Sequence, residues 1–458
     1  MSGHALVLGA GVVGVSAALA LRREGWRVTL LDRGAPGEAC SLGNAGNLGI
    51  ASVVPQATPA QVRAIPKLLR EADGPLVARW SYVLRSLPWF ARFVANGRRG
   101  KMEANARALA ALLERVPEAW DALAAEAGAA DLIARAGLLH VWRGEAAMRG
   151  AAWAYDLRRR LGARVEDMDA DAARAREPAL QGEVAGARFL PDVPTVTDPL
   201  ELTRRLVSRF EALGGAVERA EASAVLREGD RARGVRTAAG DVDADLVVLA
   251  AGAWSARLAG PHGARVPVAA ERGYHVMVTG ANARVAQPLM LVEARVMASP
   301  MRGGLRLTTM AEFADPDAPP DHGRAARVLD GASASLPGVM GRVESRWMGP
   351  RPSTPDSLPV IGRAPRAPNL LLAYGHGLLG LTMAGVTAEA LADLAAGRPP
   401  RRTSPPARRR GSRREGGQRR RPFDRRGPRL RPIRAPRRHV PPGGGQGAQR
   451  LAARREAR

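Results

Sequence analysis

The alternation of apolar and polar segments is clearest at the start of the chain. A short apolar run at Ala5–Leu8 predicts a strand, and Val12–Glu24 has helical apolar spacing without an internal proline. Gly25 is placed to end that helix, and Val28–Leu31 predicts a second strand. This order of strand, helix and strand is typical of a parallel sheet that is covered by helices.

Comparable patterns continue as far as Gly397. The run Leu246–Leu249 is apolar throughout, as in a strand that is buried on both faces, and residues 271–278 read as a strand of a second sheet. Further predicted elements are helices over 101–128 with a break at Pro117, a strand at Leu138–Trp142, a helix at Glu145–Leu161, and a helix that Asp198 caps with Pro199 in its first turn. About 400 patterned residues exceed what one core usually serves, so we expect two domains.

Charge separates the end of the chain from this body. From residue 401 onward there are 21 Arg against three acids, a net charge of +18, which leaves only +7 of the total +25 for residues 1–400. We predict that residues 401–458 are disordered, because this Arg, Pro and Gly-rich stretch has too little apolar content to offset the entropy of ordering. The same composition is what GC-rich DNA yields when it is read out of frame.

Cysteine content and the N-terminus limit the class of protein. Cys40 is the only cysteine, so neither an intrachain disulfide nor a cysteine-based metal cluster can form. The opening residues lack the basic and apolar regions of a secretory signal, and no uninterrupted apolar run approaches the roughly 18–20 residues of a membrane-spanning helix. We expect a cytoplasmic protein, with a peripheral contact at the inner face of the cytoplasmic membrane left open by the aromatic-rich segment 80–93, although interior packing is the commoner use of such a segment.

The first turn has the chemistry of a dinucleotide cradle. Gly9, Gly11 and Gly14 follow the first strand in G-x-G-x-x-G spacing. Gly9 permits the tight turn, Gly11 lets a pyrophosphate approach the backbone, and Gly14 allows close packing of helix on strand. Asp32 closes the second strand, where its carboxylate can accept ribose hydroxyls and disfavours a 2′-phosphate. The motif indicates NAD or FAD without choosing between them.

A second glycine triplet, Gly375, Gly377 and Gly380, also lies between a predicted strand and a helix. No further strand and no ribose-binding acid follow it, so a second nucleotide site is not expected. A glycine-lined helix N-terminus can instead offer N–H groups to the partly negative pyrimidine edge of a reduced flavin.

Four segments together resemble the FAD-dependent D-amino-acid dehydrogenase family, within the D-amino-acid oxidase, glycine oxidase and sarcosine oxidase group. They are "VLGAGVVGVSAALAL", "CSLGNAG" at 40–46, "AAGAWS" at 250–255, and "RPSTPDSLPVIG" at 351–362 with "YGHGLLGLTMA" at 374–384. The resemblance implies an α/β fold with a discontinuous Rossmann-type FAD-binding domain over 1–80, 150–260 and 350–398. It also implies an α+β substrate domain over 81–149 and 261–349, whose antiparallel sheet covers the flavin.

The resemblance also implies a set of site residues. Those expected to hold the cofactor are Gly9, Gly11, Gly14, Asp32, Arg33, Ser41, Asn44, Ala45, Gly46, Gly252, Gly377, Gly380, Leu381 and Thr382. Relatives with covalent flavin attach it through a cysteine late in the chain, which is absent here, so noncovalent FAD is expected. Cys40 would be a small neighbour of the cofactor.

The implied reaction is oxidative deamination of a D-amino acid, with hydride passing from the α-carbon to flavin N5 and the imine hydrolysing to keto acid and ammonia. Arg351 is expected to bind the substrate carboxylate, since a bidentate guanidinium suits that group. Tyr274 is expected to line the substrate pocket, and His275 to be structural. No hydrolase or zinc motif is present.

The partners implied are an amino-acid substrate and a quinone or other electron carrier. A glycine, sarcosine or proline-type amine oxidase that uses oxygen stays an alternative. An alternative of another class is a nucleic-acid or polyanion binder that acts through the basic tail. Phe423 is the only aromatic residue there, so no specific nucleic acid is expected. We predict that the tail arises from a frameshift and has no selected role.

Overall fold

The computed structural model describes residues 3–70, 76–282 and 284–401. The prediction of a disordered, frameshifted tail concerns residues that lie outside these ranges, apart from Arg401. Predicted and observed elements agree over most of the described chain.

Within the described ranges the chain forms helices and strands that alternate along its length. The strands are β1 (His4–Leu8), β2 (Arg27–Asp32), β3 (Leu76–Ala78), β4 (Ile133–Ala134), β5 (Leu138–Trp142), β6 (Glu166–Asp169), β7 (Gly186–Leu190), β8 (Thr195–Val196), β9 (Ala216–Arg219), β10 (Ala224–Glu228), β11 (Arg231–Thr237), β12 (Gly240–Asp243), β13 (Leu246–Leu249), β14 (Ala269–Thr279), β15 (Leu289–Leu291), β16 (Val296–Met301), β17 (Gly304–Phe313), β18 (Arg342–Ser353), β19 (Val360–Ala364) and β20 (Ala367–Tyr374). The helices are α1 (Val12–Arg23), α2 (Pro59–Arg70), α3 (Trp80–Arg85), α4 (Leu87–Asn96), α5 (Arg99–Leu113), α6 (Val116–Glu126), α7 (Glu145–Gly150), α8 (Ala152–Arg160), α9 (Ala170–Arg176), α10 (Pro199–Ala212), α11 (Ser255–Ala259), α12 (His322–Ser333) and α13 (Gly380–Ala395).

The first sheet has the strand order β19-β20-β13-β1-β2-β9. Strands β20, β13, β1, β2 and β9 pair in parallel, and β19 is antiparallel to β20. Helices α1, α10 and α13 cover one face, and the antiparallel strands β10, β11 and β12 cover the other. Because both faces are covered, β1 and β13 are buried and apolar throughout their centres, as the sequence pattern predicts.

Helices α1 and α13 pack closely on each other through small side chains. Ala20 of α1 meets Ala388 and Ala392 of α13 in a small buried cluster. By length and composition, the stretch Gly377–Ala395, which includes α13, is the one described helix that could cross a membrane, although Glu389 and Asp393 interrupt its apolar run. More than half of its most apolar window, 56%, is buried inside the protein, so its apolar character is also that of a core helix.

The second sheet follows the path β18-β14-β17-β16-β15-β5-β7-β6, and β3 pairs with β17 at one side. Its pairings are antiparallel except for β15 with β5 and β17 with β3. One face packs on α12 and forms the second large core with residues such as Val276, Leu307 and Val328. The opposite face covers the cavity described below, so an α/β fold with a parallel sheet and a roof of antiparallel strands is confirmed.

Strand pairing crosses the predicted domain boundaries in several places: β3, within 1–80, pairs with β17, and β4 pairs with β8 across residue 150. Strands β6 and β7 were expected in the FAD-binding domain, because they fall within 150–260, but they pair with each other and with β5 in the second sheet. The local sequence of a strand does not reveal its partner, and β5, the partner of β7, belongs to a distant segment of the chain. The remaining boundaries stay a prediction.

Candidate active site

The glycine cradle has the geometry that its spacing predicts. Gly9 has a φ of +104°, and a Cβ there would lie 2.5 Å from the Ala250 carbonyl oxygen. A Cβ on Gly14 would lie 1.8 Å from the Gly9 carbonyl oxygen, so α1 can pack on β1 only with glycine there. A Cβ on Gly11 would meet only the Ser41 Oγ, at 3.5 Å, so Gly11 opens onto free space. Helix α1 therefore begins at the wall of a cavity.

Asp32 is held at the end of β2 by two backbone groups. The Ala10 N–H donates to Oδ2 at 2.6 Å, and the Gly34 N–H donates to Oδ1 at 2.9 Å. Beside it, the Arg33 guanidinium lies 4.1 Å from the centre of the Trp254 ring. Gly252 has a φ of +54° and lies on the same side of the cavity. These residues form one part of the cavity wall, where a carboxylate and a cation stand side by side.

The loop after β2 forms the next part of the wall. Ser41 accepts the Val12 N–H through Oγ at 2.9 Å, which caps α1, while Asn44 and Ala45 line the cavity. Gly46 lies behind this surface with a φ of +81°. The Arg306 guanidinium donates to the Leu42 and Asn44 carbonyl oxygens at 2.8 and 2.6 Å.

Arg306 was not predicted as a site residue. Burial lowers its pKa to about 10, and its Nη1 is committed to the loop carbonyls. Its role is to hold the cavity wall, and no local signal distinguishes it among the 67 arginines of the chain.

The second glycine triplet lies at the start of α13. Gly377, Gly380 and Leu381 line the cavity, and Gly377 has a φ of +54°. Thr382 does not line it; its hydroxyl accepts the Gly49 N–H at 2.9 Å and donates to the Asn47 carbonyl at 3.4 Å. The N-terminus of α13 therefore faces the cavity, while Thr382 connects it to the loop that follows β2.

His376 and Cys40 also border the cavity, and neither has the properties of a reactive group. His376 shares a 3.0 Å hydrogen bond with the Thr387 hydroxyl, and burial lowers its pKa to about 4. The Cys40 thiol donates to the Pro350 carbonyl at 3.0 Å, and burial raises its pKa to about 12. A thiol in this state is a poor nucleophile.

These walls enclose a cavity of about 1160 Å³, above the roughly 300–1,000 Å³ of an ordinary ligand site. Of the predicted residues, those that line it are Gly9, Gly11, Asp32, Arg33, Ser41, Asn44, Ala45, Gly252, Gly377, Gly380, Leu381 and Arg351. Three lining groups, Asn47 Nδ2, Thr308 Oγ1 and Tyr374 Oη, are buried without a hydrogen-bond partner among the described residues. Because buried polar atoms normally have hydrogen-bond partners, these three groups are available to a bound ligand. The residues fit an elongated polar cofactor such as FAD.

The roof sheet contributes a pair of opposite charges. Arg351 of β18 stands directly across from Glu271 of β14, and its Nη1 lies 3.4 Å from the Glu271 Oε1. The guanidinium lies over Gly273, where a Cβ would be 1.9 Å from Nη2. Arg351 and Glu271 both line the cavity, so a cation and an anion stand together at this end.

Tyr274 does not line the cavity, contrary to the prediction. Successive residues of a strand point to opposite faces, and Glu271 and Gly273 occupy the cavity face. Tyr274 points into the core on the other side and donates to the Glu312 Oε2 at 2.6 Å. His275 returns to the cavity face, where it stacks on Trp347 and bonds the Gly43 carbonyl.

Aromatic side chains close the cavity beside Arg351. Trp89, Phe90 and Phe93 of α4 pack with Phe313 of β17, and all four line the cavity. The Trp89 Nε1–H donates to the Ser353 carbonyl at 2.8 Å, two residues beyond Arg351. The aromatic-rich stretch at 80–93 was the signal that could have found them, although it was interpreted as interior packing or membrane contact.

Comparison with known proteins identifies the family. Residues 4–394 match the DAO family, described as FAD dependent oxidoreductase. A D-amino-acid oxidase of Bradyrhizobium diazoefficiens is 34% identical over 405 residues, 87% of this chain and 96% of the relative. A D-amino acid dehydrogenase of Paramagnetospirillum magneticum is 36% identical over 406 residues, 86% and 95% of the two chains.

Solved structures share the fold. Glycine oxidase from Geobacillus kaustophilus superposes with a TM-score of 0.67 at 23% identity, covering 87% of this chain and 95% of that one. L-proline dehydrogenase from P. horikoshii gives a TM-score of 0.66 at 19% identity, covering 87% and 94%. The cradle, the cavity and these matches together show that the chain belongs to the DAO family, as an oxidoreductase of amines or amino acids that uses noncovalently bound FAD.

Proposed function

We propose that this enzyme oxidatively deaminates a D-amino acid to a keto acid and ammonia. The observation that carries the proposal is the position of Arg351, a guanidinium on the wall of the cavity that begins at the glycine cradle. A guanidinium there suits the carboxylate of an amino acid. The names of the two relatives, a D-amino-acid oxidase and a D-amino acid dehydrogenase, support this substrate class.

In this proposal the chain binds and orients, and bound FAD supplies the two-electron acceptor. Arg351 holds the substrate carboxylate, which fixes the α-carbon in the cavity. The aromatic cluster around Trp89 excludes water on that side. The N-terminus of α13, at Gly377–Leu381, offers partly positive N–H groups to any negative charge that develops nearby.

A panel of D- and L-amino acids with an artificial electron acceptor tests the reaction, and turnover of D isomers is expected. Arg351→Leu should raise KM at least about thirtyfold, because loss of a charged partner costs roughly 2 kcal/mol or more. Its FAD content should not change. Arg346→Leu, an exposed arginine of the same strand, is the matched control. An unchanged KM in Arg351→Leu removes Arg351 from the site.

We further propose that electrons pass to a quinone or another carrier at the inner face of the cytoplasmic membrane. Helices α3 and α4 expose Trp80, Leu84, Leu87 and Val94 by 65, 64, 52 and 49%. Between residues 74 and 102 there are six cations and no acid. Exposed aromatic and aliphatic side chains among cations suit an anionic lipid surface.

The acceptor and the membrane contact have separate tests. Little peroxide should form under air, whereas stoichiometric peroxide would favour the alternative of a glycine, sarcosine or proline-type oxidase. The protein truncated after Arg398 should sediment with anionic vesicles, and Trp80→Ser with Leu84→Ser should reduce that binding. If the full-length protein binds the vesicles and the truncated protein does not, the result instead supports the polyanion alternative.

Truncation also tests the role of the tail. Arg398 donates to both carboxylate oxygens of Glu24, at 2.6 and 3.0 Å, and to Asp393 at 3.0 Å, so this residue is bound to the body of the protein. We propose that a chain ending at Arg398 keeps its activity. The intact mass of the native protein tests the frameshift, and a mass matching all 458 residues with loss of activity on truncation would refute it.

A further inference from the structure

Glu271 is a buried carboxylate that the proposed reaction does not use. The residue is only 6% exposed, yet it lines the cavity beside Arg351. A buried charge is costly unless it is paired, and proteins retain such a group where it has a structural or functional use. The contacts of Glu271 indicate which use this one has.

The two oxygens of Glu271 are held differently. Oε2 accepts the Ser353 hydroxyl at 2.7 Å and the Gln56 side-chain N–H at 3.2 Å, so this oxygen is well satisfied. Oε1 has the contact with Arg351 at 3.4 Å, which is long for a charge-assisted hydrogen bond. Oε1 therefore has capacity for a closer cationic donor.

The same contact sets the charge of this end of the cavity. Arg351 contributes one positive charge and Glu271 one negative charge, and they stand side by side on neighbouring strands. A ligand that brings only a carboxylate meets the cation and is repelled by the anion. A ligand that brings a carboxylate and an ammonium satisfies both.

We propose that Glu271 is a specificity-determining residue, which selects amino acids with a positively charged amine over carboxylic acids that lack the amine. This inference rests on the proposed function, because it takes Arg351 as the carboxylate-binding residue. It adds that Glu271 accepts from the substrate ammonium group on binding. A purely structural Glu271 would only hold the roof strands together.

The test compares two ligands of the same carbon skeleton, the best D-amino acid of the panel and the corresponding carboxylic acid without the amine. KM is measured for the first, and the competitive Ki for the second. The Kd of the acid is measured independently from the change in the visible flavin spectrum. Glu271→Gln keeps the volume and an acceptor for Ser353 but removes the charge.

The proposal predicts opposite changes in Glu271→Gln. KM for the amino acid should rise about tenfold, and Ki and Kd for the acid should fall about tenfold, since each change involves one charge-assisted interaction. Glu271→Asp should keep the wild-type ratio of Ki to KM within a few fold. Glu177→Gln, which alters a buried carboxylate outside the cavity, should change neither constant.

A second variant keeps the test decisive if Glu271→Gln does not fold. Gln56→Glu adds a carboxylate next to Glu271 and should raise the Ki and Kd of the acid about tenfold. Constants for both ligands that move in the same direction in these variants would overturn the proposal. If no amino acid of the panel is oxidised, the proposed function fails. The flavin-detected Kd of a carboxylic acid that matches any amino acid of the panel still tests Glu271.

Discussion

The variant Tyr274→Phe tests whether Tyr274 lines the substrate pocket, as the sequence predicts, or lies in the core of the roof sheet, as in the structure. If Tyr274 lined the substrate pocket, loss of its hydroxyl would lower kcat/KM. The structure instead places the hydroxyl in the core of the roof, where it donates to Glu312 and accepts the Asp321 N–H at 3.2 Å. The change should therefore affect stability and leave catalysis unchanged.

The magnitude follows from these bonds. Glu312 is 2% exposed, so its bond with Tyr274 at 2.6 Å is a buried, charge-assisted hydrogen bond. Loss of such a bond costs about 1.5–3 kcal/mol, and the Asp321 N–H loses an acceptor as well. Glu312 keeps its ion pairs with Arg79 and Arg272, so complete unfolding is not expected.

Denaturant unfolding monitored by circular dichroism measures the change, beside steady-state kinetics on the same preparation. The free energy of unfolding should fall by about 1.5–3 kcal/mol, with kcat and KM within twofold of wild type. Tyr82→Phe is a matched control, because its hydroxyl accepts the uncharged Ala270 N–H at 2.8 Å and loss of a neutral hydrogen bond should cost less. A tenfold loss of kcat/KM with unchanged stability would refute this placement of Tyr274.

Three further predictions follow from the site. Gly14→Ala should abolish FAD retention on gel filtration, because its Cβ would lie 1.8 Å from the Gly9 carbonyl, whereas Gly100→Ala, with no atom within 4 Å, should keep the flavin. Cys40 should resist iodoacetamide at pH 8 in the native state, since burial raises its pKa to about 12, and rapid alkylation would contradict this. Burial also lowers the pKa of His275 to about 3 and of His376 to about 4, so only the unfolded chain binds these protons as the pH falls below about 6.5. The free energy of unfolding should therefore be lower at pH 5 than at pH 7, by about 1–2 kcal/mol for each histidine, and equal urea midpoints would contradict it.

Much of the fold could be predicted because its signals are local. The strand, helix and strand around Gly9, Gly11 and Gly14 form as predicted, within a residue or so at each end. Asp198 caps α10 by accepting the Glu201 N–H at 3.0 Å. Pro117 lies in the first turn of α6, after the break from α5. The helix predicted at Glu145–Leu161 divides into α7 and α8 near Gly150, a residue of low helix propensity.

The sequence by itself determined which residues form the cradle, because the dinucleotide turn needs glycine at fixed spacing within one short segment. It also indicated Arg351 through a motif that resembles the family. Only the tertiary structure decided what depends on partners distant in the chain. Strand pairing put β6 and β7 in the roof, and the alternation of β14 turned Tyr274 away from the cavity. The register of β14 with β18 set Glu271 against Arg351. A residue type is local information, whereas the face it occupies and the charge it meets are fixed by contacts that no short stretch of sequence encodes.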